Sequence, residues 1–264
     1  MKRKSKKKFI ISMAVVLSAW AGLNMFAKTT QEGKEIDEGN PYLDTFGIHI
    51  MELHPENSAF TFYEKYGKRI LDRALSFISL IVLMPIYIII AFAIYRDDPG
   101  NILFTQKRVG KDKHFIYVHK FRTMRMDAPH DVPTHQFTNP EQYITKVGKF
   151  LRKYSLDELP QMWDIFRGKM SIIGPRPALW NQEDLVAERE KYNANTVMPG
   201  LTGWAQINGR DELRINDKAR LDGEYCRHLR GKGLRGLCFD IRCFLGTIKS
   251  VIESDGVVEG GRRI

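Results

Sequence analysis

The sequence predicts a helix-rich α/β fold in which a compact domain lies beside a helix that enters a membrane. Three observations support this prediction. An alternating pattern over residues 102–124 indicates a β-hairpin, helical spacing dominates from residue 140 onward, and residues 74–95 form an uncharged apolar run. Strands repeat every two residues and helices every 3.6, so the two patterns can be distinguished within one chain.

The first 64 residues divide into two segments of different composition. Residues 1–28 begin with six basic residues between positions 2 and 8, followed by an apolar stretch over 9–27. This order is typical of a secretory signal, and an uncleaved membrane anchor is the alternative. Residues 29–64 contain eight acidic residues and one lysine, with little periodicity, which favours a linker or loosely folded arm.

The longest apolar run, Ala74–Tyr95, has no charged residue and is flanked by charges on both sides. At about 1.5 Å rise per residue it is long enough for a hydrocarbon core of about 30 Å. Pro85, near its middle, removes a helical hydrogen bond and favours a kink or break. A kinked transmembrane helix and a re-entrant helix, which bends and leaves by the face it entered, both fit this pattern. We assign residues 65–96 to a re-entrant membrane helix broken at Pro85, because a full crossing would place the basic residues before it outside, against the positive-inside rule, and we assign residues 97–264 to the globular domain.

The predicted hairpin carries several basic residues. Its strands are expected over Ile102–Gly110 and Lys113–Met124, joined by a short turn. The candidate anion-binding side chains on these strands are Arg108, Lys120 and Arg122. With a net charge of +10, the chain as a whole suits a polyanionic partner such as phosphorylated substrates or an anionic membrane. Nucleic acid is the weakest candidate, because no recognition motif for it is present.

The segment over residues 151–168 is the densest in chemically active side chains. Leu159, Met162, Trp163 and Phe166 recur at helical spacing and predict a helix that ends at Gly168. Its start has two interpretations: a capping box formed by Ser155 and Glu158, or a helix cap at Asp157. In both interpretations the first turn favours an ionised Asp157 carboxylate.

Cations surround this acidic pair in the sequence. Arg152 precedes it, and Arg176 follows between two prolines that restrict the backbone and suit a phosphate-binding guanidinium. A carboxylate that attacks a diphosphate requires its target's charge to be neutralised by such groups or by a metal. Helix capping alone is the structural alternative for Asp157.

Residues 63–256 resemble the bacterial sugar transferase family, the monotopic phosphoglycosyl transferases that begin the assembly of capsules and other glycans. The matching stretches are 66–72 (YGKRILD), 106–110 (QKRVG), 120–124 (KFRTM), 155–161 (SLDELPQ), 168–177 (GKMSIIGPRP) and 199–210 (PGLTGWAQINGR). Six motifs in one order over most of the chain make this resemblance highly specific.

The resemblance implies a transfer of a phosphosugar from a UDP-sugar to polyprenyl phosphate, with release of UMP. Asp157 matches the family's nucleophile and a Mg²⁺ ligand, and Glu158 matches the second acid of the pair, with helix capping as its alternative. Arg152 and Arg176 match phosphate contacts. The 199–210 loop, with Asn208 and Arg210, is expected to line the substrate pocket, and a purely structural glycine turn is the alternative.

The resemblance also implies a location at the bacterial cytoplasmic membrane, with the active site facing the cytoplasm and lipid contacts along the helices. We expect interfacial amphipathic helices between Leu221 and Glu253. One departure concerns the membrane helix, where Met84-Pro85 replaces the Ser-Pro that is frequent in the family. Two other classes fit less well: a glycosyltransferase with a metal-binding Asp-x-Asp motif, which this sequence lacks, and a non-catalytic membrane adaptor, against which the acidic pair argues.

Overall fold

A computed structural model describes residues 61–128, 140–209 and 213–253, together with the backbone of two short strands at Val258–Glu259 and Arg262–Arg263. The predicted membrane segment 1–28, the acidic linker up to residue 60 and Arg210 lie outside the described residues. In the described part, helices predominate and the strands form small two-stranded sheets. The helix-rich α/β class is therefore confirmed at this level.

Eight helices and six strands make up the described part of the chain. The helices are α1 (Lys68–Val82, preceded by a π-helical turn at Tyr63–Gly67), α2 (Met84–Asp97), α3 (Lys146–Lys153), α4 (Gln161–Phe166), α5 (Glu183–Glu190), α6 (Trp204–Ile207), α7 (Ile215–Leu229) and α8 (Leu234–Glu253). The strands are β1 (Leu103–Val109), β2 (Phe115–Phe121), β3 (Ser171–Ile173), β4 (Gly200–Thr202), β5 (Val258–Glu259) and β6 (Arg262–Arg263).

The apolar run forms two helices that meet at an angle of 62°. The break is at Leu83, and Pro85 occupies the first turn of α2, where its missing N–H costs no helical hydrogen bond. The bend thus begins two residues before the proline at which we expected it. Among the described residues no single helix is long and apolar enough to cross a membrane, whereas α1 and α2 together meet that criterion.

Helix α1 has an inverted distribution of side chains. Its buried residues are Lys68, Asp72 and Ser76, which share one face at intervals of four residues. Its opposite side exposes large apolar side chains, namely Ile70, Leu71, Leu75, Phe77, Ile78, Ile81 and Val82. A helix on a water-exposed surface has the reverse arrangement.

The β-hairpin forms as predicted. Strands β1 and β2 pair antiparallel from Leu103 opposite Phe121 to Val109 opposite Phe115. The connecting turn contains Asp112 and Lys113, both with positive φ. Because successive strand residues point to opposite faces, Lys120 lies on the face opposite to the buried Phe121.

Two glycine-rich segments cross at very close range. Strands β3 and β4 are parallel, with Ser171 opposite Gly200. Just beyond β3, Gly174 lies so near the second segment that a Cβ at Gly200 or Gly203 would collide with its backbone. Gly200 and Gly203 are therefore required for this packing.

Helices α7 and α8 contribute to the main hydrophobic core, where Tyr225, Cys226 and Leu229 contact Phe239 and Cys243. This corrects one expectation. Residues 221–229 belong to α7 and are largely buried, so this part of the predicted interfacial region is a core helix. Helix α8 differs, since it also exposes large apolar side chains at Leu234, Ile241, Phe244, Leu245 and Ile248.

Candidate active site

The acidic pair lies in a short 3-10 turn, Leu156–Glu158, between α3 and α4. Ser155 enters this turn in the left-handed conformation (φ 55°) and provides no side-chain cap. Helix α4 starts only at Gln161 and likewise has no side-chain cap. Both interpretations of the helix start were therefore wrong, because a separate turn carries the two acids.

Helix α4 ends as predicted, with Gly168 at φ 74°, but its most buried face differs from the predicted one. The most buried residues are Gln161, Asp164 and Ile165. Asp164 accepts a hydrogen bond from the backbone N–H of His119 (2.9 Å) and contacts the His119 ring (2.7 Å). With this polar face of α4 against β2, Phe166 lies toward α1, where it stacks on Phe77 with ring centres 5.6 Å apart.

Glu158 pairs with two cations from different parts of the chain. Lys120 of β2 lies 2.8 Å from one of its carboxylate oxygens, and the Arg176 guanidinium contacts both oxygens, at 2.5 and 3.1 Å. A two-pronged contact of this kind fixes both the position and the orientation of the carboxylate. Glu158 is thus the point at which β2 and the loop after β3 meet.

Asp157 is buried beside these ion pairs but makes much weaker contacts. In the described part of the chain, its only ion pair or hydrogen bond is a 3.9 Å contact with Lys120. Burial and the neighbouring Glu158 carboxylate raise the pKa of the Asp157 carboxyl, and the charges of Lys120, Arg152 and Arg176 act in the opposite direction. The ionised form therefore depends on these cations, and not on the helix amides that the sequence suggested.

Lys120 and Arg108 bring positive charge from the hairpin. Burial lowers the pKa of Lys120, and its two acidic neighbours oppose that shift. Arg108 adds to the lowering of this pKa through its own charge, and its guanidinium donates to Gln106 and to the Pro177 carbonyl (2.9 Å). Both predicted residues are therefore part of the same cluster.

Arg152 and Arg176 are held in place by neighbouring groups. Arg152 donates to the Thr123 hydroxyl at 2.9 Å, which ties α3 to the end of β2. The Arg176 carbonyl accepts from Arg189 (2.9 Å), and Arg189 forms a buried ion pair with Asp222. The sequence prediction missed this supporting pair. A signal was present, because Arg189 falls on the apolar face of α5, three and four residues after Val186 and Leu185.

Two of the predicted residues are engaged elsewhere. The Arg122 guanidinium pairs with Asp98 and donates to the Asn101 carbonyl. Asn208 donates to the Trp204 carbonyl at 2.7 Å and is exposed. Trp204 itself packs against Phe239 in the core.

A cavity of about 230 Å³ opens beside the acidic turn. Glu158 and Arg176 contribute to one side of it, and the remaining wall comes from α4, β3, β4, α6 and α8. Most of these lining side chains are aliphatic or aromatic. The site therefore joins a charged cluster to an apolar space.

The described residues contain no group of three or more His, Cys, Asp or Glu side chains placed to hold a metal ion. Mg²⁺ is commonly bound by one or two carboxylates together with substrate phosphates and water. Asp157, whose oxygens are not committed to close hydrogen bonds, fits such a ligand. Glu158 fits less well because two cations already neutralise it.

Comparison with known proteins places this site in context. The model of the family described as bacterial sugar transferase matches residues 63–254. Relatives include the undecaprenyl-phosphate glucose phosphotransferase of Komagataeibacter xylinus, 34% identical over 79% of this chain and 39% of that protein. The UDP-glucose:undecaprenyl-phosphate glucose-1-phosphate transferase of Escherichia coli (strain K12) is 40% identical over 78% of this chain and 44% of that protein.

The chain thus spans about two fifths of the length of these relatives. The exopolysaccharide production protein ExoY of Sinorhizobium fredii is closer in size, with 31% identity over 72% of this chain and 87% of that protein. The family model matches most of this chain, and the chain in turn aligns with most of the length of ExoY. The chain belongs to the bacterial sugar transferase family.

Proposed function

We propose that this protein transfers a phosphosugar from a UDP-sugar to a polyprenyl phosphate, through a covalent intermediate on Asp157. The names of two relatives describe glucose phosphate transfer to undecaprenyl phosphate. The observation that carries the proposal is the buried Asp157 carboxylate, which is surrounded by cations yet makes no close hydrogen bond in the described part of the chain.

In the first step, an Asp157 carboxylate oxygen attacks the phosphorus that bears the sugar. A bond forms between this oxygen and phosphorus, and the bond from phosphorus to the oxygen of UMP breaks, so UMP leaves with that electron pair. The product is an aspartyl phosphosugar. Lys120, Arg152 and Arg176, whose charges all act on Asp157, are placed to balance the negative charge of the diphosphate.

In the second step, a phosphate oxygen of the polyprenyl phosphate attacks the same phosphorus. The bond to Asp157 breaks, the carboxylate is regenerated, and the product is a polyprenyl diphosphosugar. Glu158 keeps Lys120 and Arg176 in the same positions during both steps, because both cations contact its carboxylate. In this scheme Glu158 is a positioning residue.

Mg²⁺ is part of the proposal. Asp157 would hold it together with phosphate oxygens of the substrate, and the ion would supply further neutralisation of the diphosphate charge. Glu158 would remain with its two cations.

A membrane location is supported by the side chains of α1 and α2. We propose that the bent pair dips into the cytoplasmic leaflet and returns, since its apolar side chains face outward while its polar ones face the domain. UDP-sugars are cytoplasmic, so the active site faces the cytoplasm in this proposal. If α1 and α2 together crossed the membrane once, Lys65 and Arg69 would lie on its outer side, contrary to the positive-inside rule.

The covalent intermediate is testable by mass spectrometry. Full-length protein is incubated with Mg²⁺ and a panel of UDP-sugars, without lipid, while UMP is measured. We expect one phosphosugar mass on the peptide that contains Asp157 and an equal amount of UMP. Release of UDP instead of UMP, or an adduct on another residue, would contradict the mechanism.

The topology is testable with single cysteines in a cysteine-free background. Ser58→Cys lies before the bent pair in sequence, and Lys191→Cys replaces a side chain that is 66% exposed on the domain. We expect both to resist a membrane-impermeant thiol reagent in intact cells and to react after permeabilisation. Labelling of Ser58→Cys alone in intact cells would favour a full crossing.

A further inference from the structure

The cavity beside the acidic turn has both charged and apolar lining. The charged part is the ion pair of Glu158 and Arg176, and Leu201, Ile207 and Val251 contribute aliphatic surface. An aliphatic wall offers no hydrogen bonds to sugar hydroxyls, which would lose water there without compensation. The chemistry of the cavity therefore suits an amphiphile with an anionic head and a hydrocarbon body.

The cavity borders the outward apolar face of α8. Phe244 lines the cavity and is also 49% exposed. It shares that face with Ile241 and Ile248, which are exposed as well. Phe244 therefore joins the cavity to the apolar face of α8, along which a hydrocarbon chain can lie.

A third observation concerns Gln206, which lines the same cavity. Its side-chain Nε2 and Oε1 are both buried, and neither has a hydrogen-bond partner among the described residues. Burial of a polar group without a partner destabilises the fold. The absence of a side chain at Gly203 leaves room for this amide, since a Cβ there would lie 3.2 Å from Oε1. Both atoms are closed off from solvent, so the side chain must turn for them to meet a ligand in the cavity, and such a ligand would supply the missing partner.

We infer that this cavity is the acceptor subsite, which holds the phosphate-proximal isoprene units of the polyprenyl phosphate. In this subsite the Gln206 amide donates to a phosphate oxygen, Arg176 neutralises the phosphate, and the hydrocarbon leaves past Phe244 along α8. The inference rests on the proposed function for the identity of the lipid. Its two parts, a lipid contact and a phosphate contact, are tested separately.

The lipid contact is tested by photo-crosslinking, which does not require catalysis. Farnesyl phosphate with a diazirine in its first isoprene unit is irradiated with the full-length protein in phospholipid nanodiscs, and the labelled peptides are mapped. We expect labels within 201–207 and 244–251. Ser250→Phe, which places a ring in the cavity, should remove them, while Lys249→Phe on the exposed side should retain them.

Labels confined to α1 and α2, or labels that persist in Ser250→Phe, would overturn the assignment. Crosslinking that succeeds in a protein that releases no UMP would reject the proposed transfer and keep the lipid subsite. Labels that Ser250→Phe removes and that a UDP-sugar also displaces from the wild type would assign the cavity to the donor instead.

The phosphate contact is tested with Gln206→Met, which keeps the length of the side chain and removes both polar atoms. We expect a higher Tm, because two unsatisfied groups disappear, and a roughly tenfold weaker competition by unlabelled farnesyl phosphate in the crosslinking assay. Farnesol, which lacks the phosphate, should compete equally with both proteins. A lower Tm together with unchanged competition by farnesyl phosphate would show that Gln206 serves only the fold.

Discussion

Two buried carboxylates, Asp240 of α8 and Asp157 of the acidic turn, are surrounded by donors and cations in very different ways. Asp240 accepts from the Tyr63 hydroxyl (2.5 Å) and from Lys68 (2.8 Å), and the Tyr225 hydroxyl lies 2.9 Å away. Asp157 has one contact, at 3.9 Å, within the described part of the chain. Both acids are similarly inaccessible, at 6% and 9% exposure.

On the proposed mechanism, this difference separates a structural acid from a reactive one. Close hydrogen bonds stabilise a carboxylate and also occupy the lone pairs that a nucleophile needs. Distant cations stabilise the charge while leaving the oxygens accessible to an electrophile. At Asp240 each partner therefore supports the fold, and at Asp157 each cation supports the chemistry. Four substitutions test this division.

Asp157→Asn should reduce turnover at least roughly 10⁴-fold, because the nucleophile is lost. Its unfolding free energy should not fall, since the carboxylate has no close hydrogen bond to lose. UMP release and urea unfolding in detergent measure the two effects. Asp127→Asn, at an exposed acid, is the control and should change neither. Turnover near that of the wild type would remove Asp157 from the mechanism.

Asp240→Ala should lower the unfolding free energy by about 3–5 kcal/mol, because Lys68 then remains buried without its partner. The activity of the fraction that stays folded should be close to that of the wild type. Urea unfolding measures the loss, and Asp217→Ala, which removes a surface ion pair with Arg214, is the control with little expected change. If Asp240→Ala abolished UMP release in folded protein, the division between the two acids would fail.

Arg176→Lys should lower kcat/KM for the UDP-sugar by roughly 10–100-fold, because the two-pronged geometry is lost while the charge remains. Stability should change by less than about 0.5 kcal/mol, since lysine still pairs with Glu158. Steady-state UMP release measures the effect, with the exposed Arg220→Lys as control. Equal kcat/KM in both variants would mean that the guanidinium fork is not used on phosphate.

Tyr225→Phe should cost about 1 kcal/mol of unfolding free energy, the loss of one buried hydrogen bond. The Tyr225 hydroxyl lies near both Asp240 and the Ile173 carbonyl, so its removal loosens the junction of α7, α8 and β3. Thermal unfolding detects a loss of this size, and the exposed Tyr117→Phe should show none. A loss of activity without a loss of stability would reverse the role assigned to Tyr225.

Local patterns were sufficient to predict several parts of the fold. The hairpin strands follow from alternation, and the end of α4 follows from Gly168, because these features depend on neighbours in sequence. The acidic turn was less predictable. Ser155 takes a left-handed conformation that its residue type does not favour, so a helix cap was predicted where the chain forms a separate turn.

The assignment of cations to the site depends on tertiary contacts that no local pattern contains. Arg122 and Lys120 are two residues apart in sequence, and both were predicted to bind phosphate. Lys120 reaches Glu158, whereas Arg122 pairs with Asp98, 24 residues earlier. Equal charge and close spacing therefore do not decide which cation reaches the acidic turn and which pairs elsewhere. The cavity beside Gln206 was equally inaccessible to prediction, since its wall combines segments from α4 to α8.

The Lys68–Asp240 pair also has a consequence for synthesis of the chain. Its two members are 172 positions apart, so at usual translation rates Asp240 is made roughly 10–35 s after Lys68. During that interval Lys68 lacks Asp240 and has Asp72 of the same helix as its acidic neighbour. On the membrane location proposed above, an ammonium at this position is held by water or lipid phosphate at the surface and not within hydrocarbon. The first turn of the nascent α1 would then stay at the interface until α8 is complete and Asp240 reaches Lys68.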